Sequence, residues 1–158
     1  MSSRHKGFTL IELLLVMLVM GIVASLAVPS ITASIDILKL KADAHQMAEA
    51  LRAARQDAIT SGQVSRVVFY AGGNRYKVYN SSSSLPVTRW LNKGIVVLGM
   101  PTFTQRMGGN PVCAFYPSGA PSSGGTVILK NSRNKKLYII VNPAVGRIRV
   151  SDTPPEHW

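Results

Sequence analysis

The chain has 158 residues, 46% of them hydrophobic, and a formal net charge of +11 at pH 7. That length holds about one domain plus an anchor, and a single cysteine, Cys113, excludes an intrachain disulfide. The seven carboxylates are Glu12, Asp36, Asp43, Glu49, Asp57, Asp152 and Glu156, so none falls between Ala58 and Ser151, where twelve basic residues lie. Paired-acid and Ser–His–Asp chemistry lack their parts there, and an enzyme is not expected. A body so basic attracts polyanions: nucleic acid, anionic lipid head groups or an acidic partner subunit.

The chain starts with a short polar stretch, MSSRHKG, followed by an apolar run from Phe8 to Val28 with one charge, Glu12. As a helix the run spans roughly 32 Å, enough to cross a hydrocarbon core of about 30 Å. Its apolar residues cover the whole circumference, which reads as a membrane segment. Arg4 and Lys6 before it favour a cytoplasmic start and an outward-facing body, since large domains translocate largely regardless of their charge. Ala24, Ser25 and Ala27 imitate a signal-peptide cleavage site. The length of the run and its continuation into another helix weigh against that reading. A carboxylate within a span costs roughly 2.5–3.5 kcal/mol. Glu12 therefore either reaches interfacial water or meets a positive charge, and cleavage between Gly7 and Phe8 would create one as a new amino terminus.

The stretch Lys6-Gly7-Phe8-Thr9-Leu10-Ile11-Glu12 resembles the prepilin signature of type IV pilins and type II secretion pseudopilins. The resemblance implies that a membrane-embedded prepilin peptidase cuts after Gly7 and methylates the amino group of Phe8. It implies as well that Glu12 pairs with a neighbouring subunit's amino terminus during assembly. Pro29 falls where that family often has a helix-kinking proline, and a proline there would bend a continuing helix.

After Pro29 the pattern stays helical to about Ser61. Ile31, Ile35, Leu38, Ala42 and His45, then Ala48, Leu51, Ala54, Arg55 and Ala58, recur at three- and four-residue steps and predict a largely apolar stripe. Lys39, Lys41, Asp43, Glu49, Arg52, Arg55, Gln56 and Asp57 supply the expected wet face, and His45 reads as a core or interface histidine. Gly62 is the expected stop. Beyond it, short runs rich in Val and Ile predict strands at 64–70, 75–80, 95–98, 112–116, 126–130, 137–141 and 147–150, each bounded by turn residues. Ser81–Ser84 and Pro117–Ser123 read as flexible loops. The expected fold is α+β: a long helix, membrane half plus amphipathic half, carrying one antiparallel sheet or two small ones. The boundaries are a leader at 1–7, the membrane and polymerisation helix at 8–29, the amphipathic half at 30–62, the β body at 63–151 and a tail at 152–158. Cys113, between Val112 and Ala114, reads as a buried thiol. His5, His45 and His157 stand far apart in the chain, so no metal site or cofactor is expected.

This layout resembles the GspH/FimT group of minor pseudopilins. Lys130, Arg133, Lys135 and Lys136 cluster around one predicted hairpin, and Gly146-Arg147-Ile148-Arg149 places two guanidinium groups on one face of a predicted strand, about 7 Å apart. Arginine forks suit phosphate. The latter stretch is similar to the GRxR motif of FimT-type minor pilins, which bind DNA for natural transformation, and the resemblance implies backbone contacts to DNA by Arg147 and Arg149. A subunit interface and plain solvation are the other readings of these charges. The expected protein is a minor pilin or pseudopilin near the tip of a filament, anchored by one span in a bacterial inner membrane with its body outside. Its expected partners are other pilin subunits, the prepilin peptidase and DNA. One alternative is a type II secretion pseudopilin contacting tip subunits or exported protein; another is a single-span protein with a lipid-binding basic domain.

Overall fold

The computed structural model describes residues 9–81, 83 and 85–155, without the side chains of 26–31. The leader with Gly7, as well as Phe8, Ser82, Ser84, the side chain of Pro29 and the residues from Glu156 to Trp158, lies outside the described residues. Two compact units divide between Ile35 and Asp36, within helix α1 (Leu10–Ser61).

In the first unit the helix begins on Thr9, whose hydroxyl and carbonyl accept from the backbone N–H of Glu12 at 3.3 and 3.1 Å, an N-cap in the usual sense. Every side chain from Leu10 to Ser25 is exposed, including Leu10 at 78% and Met20 at 67%. Among the described residues no helix is long and apolar enough to cross a membrane; the described side chains of the apolar run end at Ser25.

In the second unit α1 buries Leu40, Ala44, Met47, Ala48, Leu51, Ala54 and Ala58, a stripe at three- and four-residue spacing. That stripe differs from the expected one. Ile35, Leu38, Ala42 and His45 are exposed, and Asp43, expected on the wet face, is 1% exposed. Alanine and leucine occur on both faces of this helix, exposed at Leu38, Ala42 and Ala53 and buried at Leu40, Ala44 and Leu51, so spacing alone does not choose between them. The helix ends at Ser61, and Gly62 follows with a φ of 70°.

Two antiparallel sheets carry the rest. The first has the order β3 (Val87–Trp90), β2 (Arg75–Tyr79), β1 (Ser65–Phe69), β6 (Asn110–Phe115), β5 (Arg106–Met107). The second has the order β4 (Val96–Val97), β7 (Gly125–Lys130), β8 (Lys136–Val141), β9 (Ile148–Ser151). The fold is α+β, as expected. Backbone bonds from Gly72 N to Val97 O and from Val97 N to Gly73 O, each 3.0 Å, join the β1–β2 turn to the second sheet. One core cluster takes in the helix stripe and both sheets, with the Phe69 and Phe103 rings stacked at 5.5 Å. A Cβ on Gly125 would stand 2.4 Å from the Phe103 ring, so only glycine fits beneath it. Cys113 is fully buried, and burial pushes its thiol well above the ordinary range.

The edge strands β3 and β5 were not legible in the sequence. Both are short and largely exposed, so they lack the apolar alternation that marks a strand. The 117–123 segment, expected to be flexible, is pinned instead: Ser122 N donates to Ala114 O at 2.7 Å and Tyr116 N to Ala120 O at 2.9 Å.

Candidate functional site

The helix supplies the acids that the β body lacks, and it spends three of them on loops. Asp36 Oδ2 accepts from Ser132 Oγ at 3.3 Å and faces Arg133 Nε at 3.4 Å. Asp43 accepts from the backbone N and Nδ2 of Asn92 at 2.8 and 2.7 Å. Asp57 Oδ2 accepts from Ser65 Oγ and from the N and Oγ of Ser81, the latter two at 2.8 Å. Burial raises the Asp43 carboxyl above its usual range, and the two Asn92 bonds offset part of that. These aspartates act as clips between helix and body, and Asp36 also meets one of the body's cations, Arg133.

The outer face of the second sheet collects much of that charge. Leu129, Leu137, Ile139, Val141 and Ile148 belong to the core, so residues of the other parity lie on the opposite face. Lys130 pairs with Lys136, and Arg149 pairs with Ile140. Lys130, Lys136 and Arg149 therefore share that face. Arg149 stands about 13 Å along β8 from Lys136, at about 3.3 Å per residue. Lys135 is exposed in the β7–β8 turn, and Arg133 in the same turn is engaged by Asp36. The expected strand at 147–150 begins one residue later. Arg147 sits in the turn before β9, its carbonyl accepting from Asn142 N at 2.9 Å, and it is exposed like Arg149 with buried Ile148 between them.

Two helix residues, expected on the solvated face with no partner in the body, hold this turn. Arg52 Nη2 donates to Ile148 O at 3.0 Å, while its Nη1 meets Glu49 at 2.6 Å. Arg55 Nε donates to Gly119 O at 2.8 Å. Gly146 packs against the same place: its φ is 62°, and a Cβ there would stand 2.8 Å from Gly119 O and 3.2 Å from Arg55 Nε. Glycine is needed twice over, for its conformation and for the approach. No local pattern announces contacts across 64 or 96 residues of chain.

The outer-face residues Thr126, Ile128 and Tyr138 also line a groove of about 600 Å³ whose other walls, Pro143 and Pro155 among them, are likewise uncharged. At the far amino end, Glu12 is exposed in the first turn of α1, and no described residue pairs with its carboxylate. Pro29 lies within α1. No group of three or more His, Cys, Asp or Glu stands together among the described residues.

Residues 2–28 match the family model for the prokaryotic N-terminal methylation motif, and residues 43–145 match that for type II transport protein GspH. No curated protein matches the chain in sequence. Among solved structures, the type IV minor pilin FimU of Pseudomonas aeruginosa is similar, with a TM-score of 0.58 at 12% identity over 77% of this chain and 96% of that one. The minor pseudopilin EpsH of the Vibrio cholerae type 2 secretion system has a TM-score of 0.57 at 14% identity over 72% and 96%.

Proposed function

The chain belongs to the family of type II transport protein GspH, and on that premise we propose that it captures DNA non-specifically near the tip of a type IV pilus-like filament. In its coarser outline the protein is a membrane-anchored minor pilin or pseudopilin, a structural subunit that assembles with other pilins and not an enzyme. The observation that carries the DNA reading is the outer face of the second sheet: Lys130, Lys136 and Arg149 lie on one side with exposed Arg147 beside them. The body's own strands and loops offer no carboxylate to oppose them. Phosphate contacts of this kind hold a duplex without reading its sequence. Lys135 at the hairpin tip extends the same reach, Arg133 is steadied by Asp36, and Gly146 sets the angle of the turn that presents Arg147.

Anchoring and assembly follow the resemblance residue by residue. The peptidase cuts between Gly7 and Phe8, the new amino group is methylated, and Glu12 pairs with the amino terminus of a neighbour. One span, from Phe8 to about Pro29, holds the subunit in the inner membrane with its body outside, and Pro29 bends the stem. Exposed apolar side chains from Leu10 to Val23 support this reading, because they require lipid or other subunits around them.

Full-length protein in detergent should retard duplexes of unrelated sequence. Arg147→Ala with Arg149→Ala should lower the salt slope of binding by about 1–2, since each phosphate contact contributes about 0.9. An unchanged slope removes these arginines from the role. A second reading, a secretion pseudopilin that touches tip subunits or exported protein, is favoured by the uncharged groove on the same sheet, whose apolar lining suits a polypeptide better than a phosphate chain. A deletion strain that loses secretion and keeps transformation selects it.

A further inference from the structure

The first sheet also has an outward face, distinct from the residues assigned above. Val67, Phe69, Tyr76, Val78, Cys113 and Phe115 belong to the main core, so residues of the other parity face away from it. There Arg75 pairs directly with Trp90, Lys77 lies opposite Val68, and Arg66 lies opposite Tyr79. The Arg75 guanidinium stands 4.9 Å from the Tyr70 ring centre and 5.4 Å from that of Trp90, and Lys77 Nζ is 5.9 Å from Tyr70. Tyr70 and Tyr79 are half-buried over a small apolar cluster of Val68, Val112 and Ala114, which fixes their rings. Trp90 keeps 59% of its surface exposed. The result is a platform of alternating rings and cations on a rigid sheet.

We propose that this face, built on Trp90, Arg75, Tyr70, Lys77, Tyr79 and Arg66, binds single-stranded nucleic acid, taking unpaired bases on its rings and phosphates on its cations. Rows of side chains repeat about every 7 Å along the strands and strands lie about 4.8 Å apart, so the face accommodates about three nucleotides. Base stacking on exposed aromatics beside a basic track is the chemistry of sequence-tolerant single-strand binding. A duplex keeps its bases stacked on one another and gains only the cations. A second copy of this chain is a poor occupant, because its residues 58–151 hold no carboxylate to meet these charges and three of its helix aspartates are engaged by its own loops. The site does not depend on Arg147 or Arg149, and its failure is read separately from theirs.

The test uses the full-length chain in neutral phosphatidylcholine nanodiscs with Trp158→Phe, which leaves Trp90 as the only indole. A twelve-residue oligothymidylate should quench Trp90 emission and bind about ten-fold tighter at this face than a duplex of equal length, given the usual worth of one stacked base. Trp90→Leu, read by the anisotropy of a labelled oligonucleotide, should lose about ten-fold in single-strand affinity and leave duplex affinity unchanged. Lys77→Gln with Arg66→Gln, which leaves Trp90 in place as a check on folding, should weaken quenching and reduce its salt dependence. The Arg147→Ala, Arg149→Ala pair should leave quenching intact. Absence of quenching, equal affinities for the two nucleic acids, or a blue shift only with phosphatidylglycerol vesicles overturns the proposal.

Discussion

Residues from Leu10 to Ser25 and from Asp36 to Ser61 belong to the same helix, yet they solve opposite problems. The first stretch exposes apolar side chains all around, and none of its described side chains is buried. The second turns one stripe into a core and uses its polar residues to clip loops. Helical propensity is similar in both; the difference is what surrounds each face. An apolar circumference demands an external partner, whereas a stripe flanked by aspartates finds its partners within the body.

Breaking the comparison should give graded effects on the thermal unfolding of the body. Leu51→Ala empties a fully buried position and should cost about 2–5 kcal/mol, while Leu14→Ala in the exposed run should leave body stability within about 0.5 kcal/mol. Equal losses would erase the distinction. Asp57→Ala leaves buried Ser65 and the Ser81 backbone without their acceptor, at about 1–3 kcal/mol, and should speed proteolysis near Ser81. Gly146→Ala combines a left-handed φ with a clash at Gly119 O, and should cost about 1–3 kcal/mol together with reduced duplex binding.

The smallest effect sharpens the role of Asp43. Its carboxyl is raised, chiefly by burial, so the folded state holds that proton more firmly than the unfolded chain does. Its contribution to stability is therefore fullest below the ordinary value of 3.8 and is lost as pH rises through the raised folded value. The stability difference between wild type and Asp43→Asn should shift in that direction across the window; a difference flat with pH would count against a buried, raised carboxyl.

Much of the candidate site was legible one residue at a time and not as an arrangement. Arg147 and Arg149 stood out by spacing, and both are exposed, yet only Arg149 lies in a strand. Lys130 and Lys136 looked like hairpin-tip charges; their pairing and their common face with Arg149 depend on the register of β8 with both its neighbours. Asp43 looked like a solvated helix residue because nothing nearby in sequence reveals Asn92, 49 residues away. Trp90 and Arg75, 15 residues apart, gave no motif at all and became a pair through β2–β3 register.

The sequence by itself determined the apolar run with its single acid, the helix that ends before Gly62, the strand-and-turn punctuation of the body and the absence of acid along it. These are local properties, set by side-chain polarity, backbone freedom and short-range spacing. Tertiary structure alone decided which helix stripe is buried, which aspartates become clips, and which cations and rings share a sheet face. Those outcomes rest on pairings between distant segments, whose free energy comes from contacts that no short window of the chain contains.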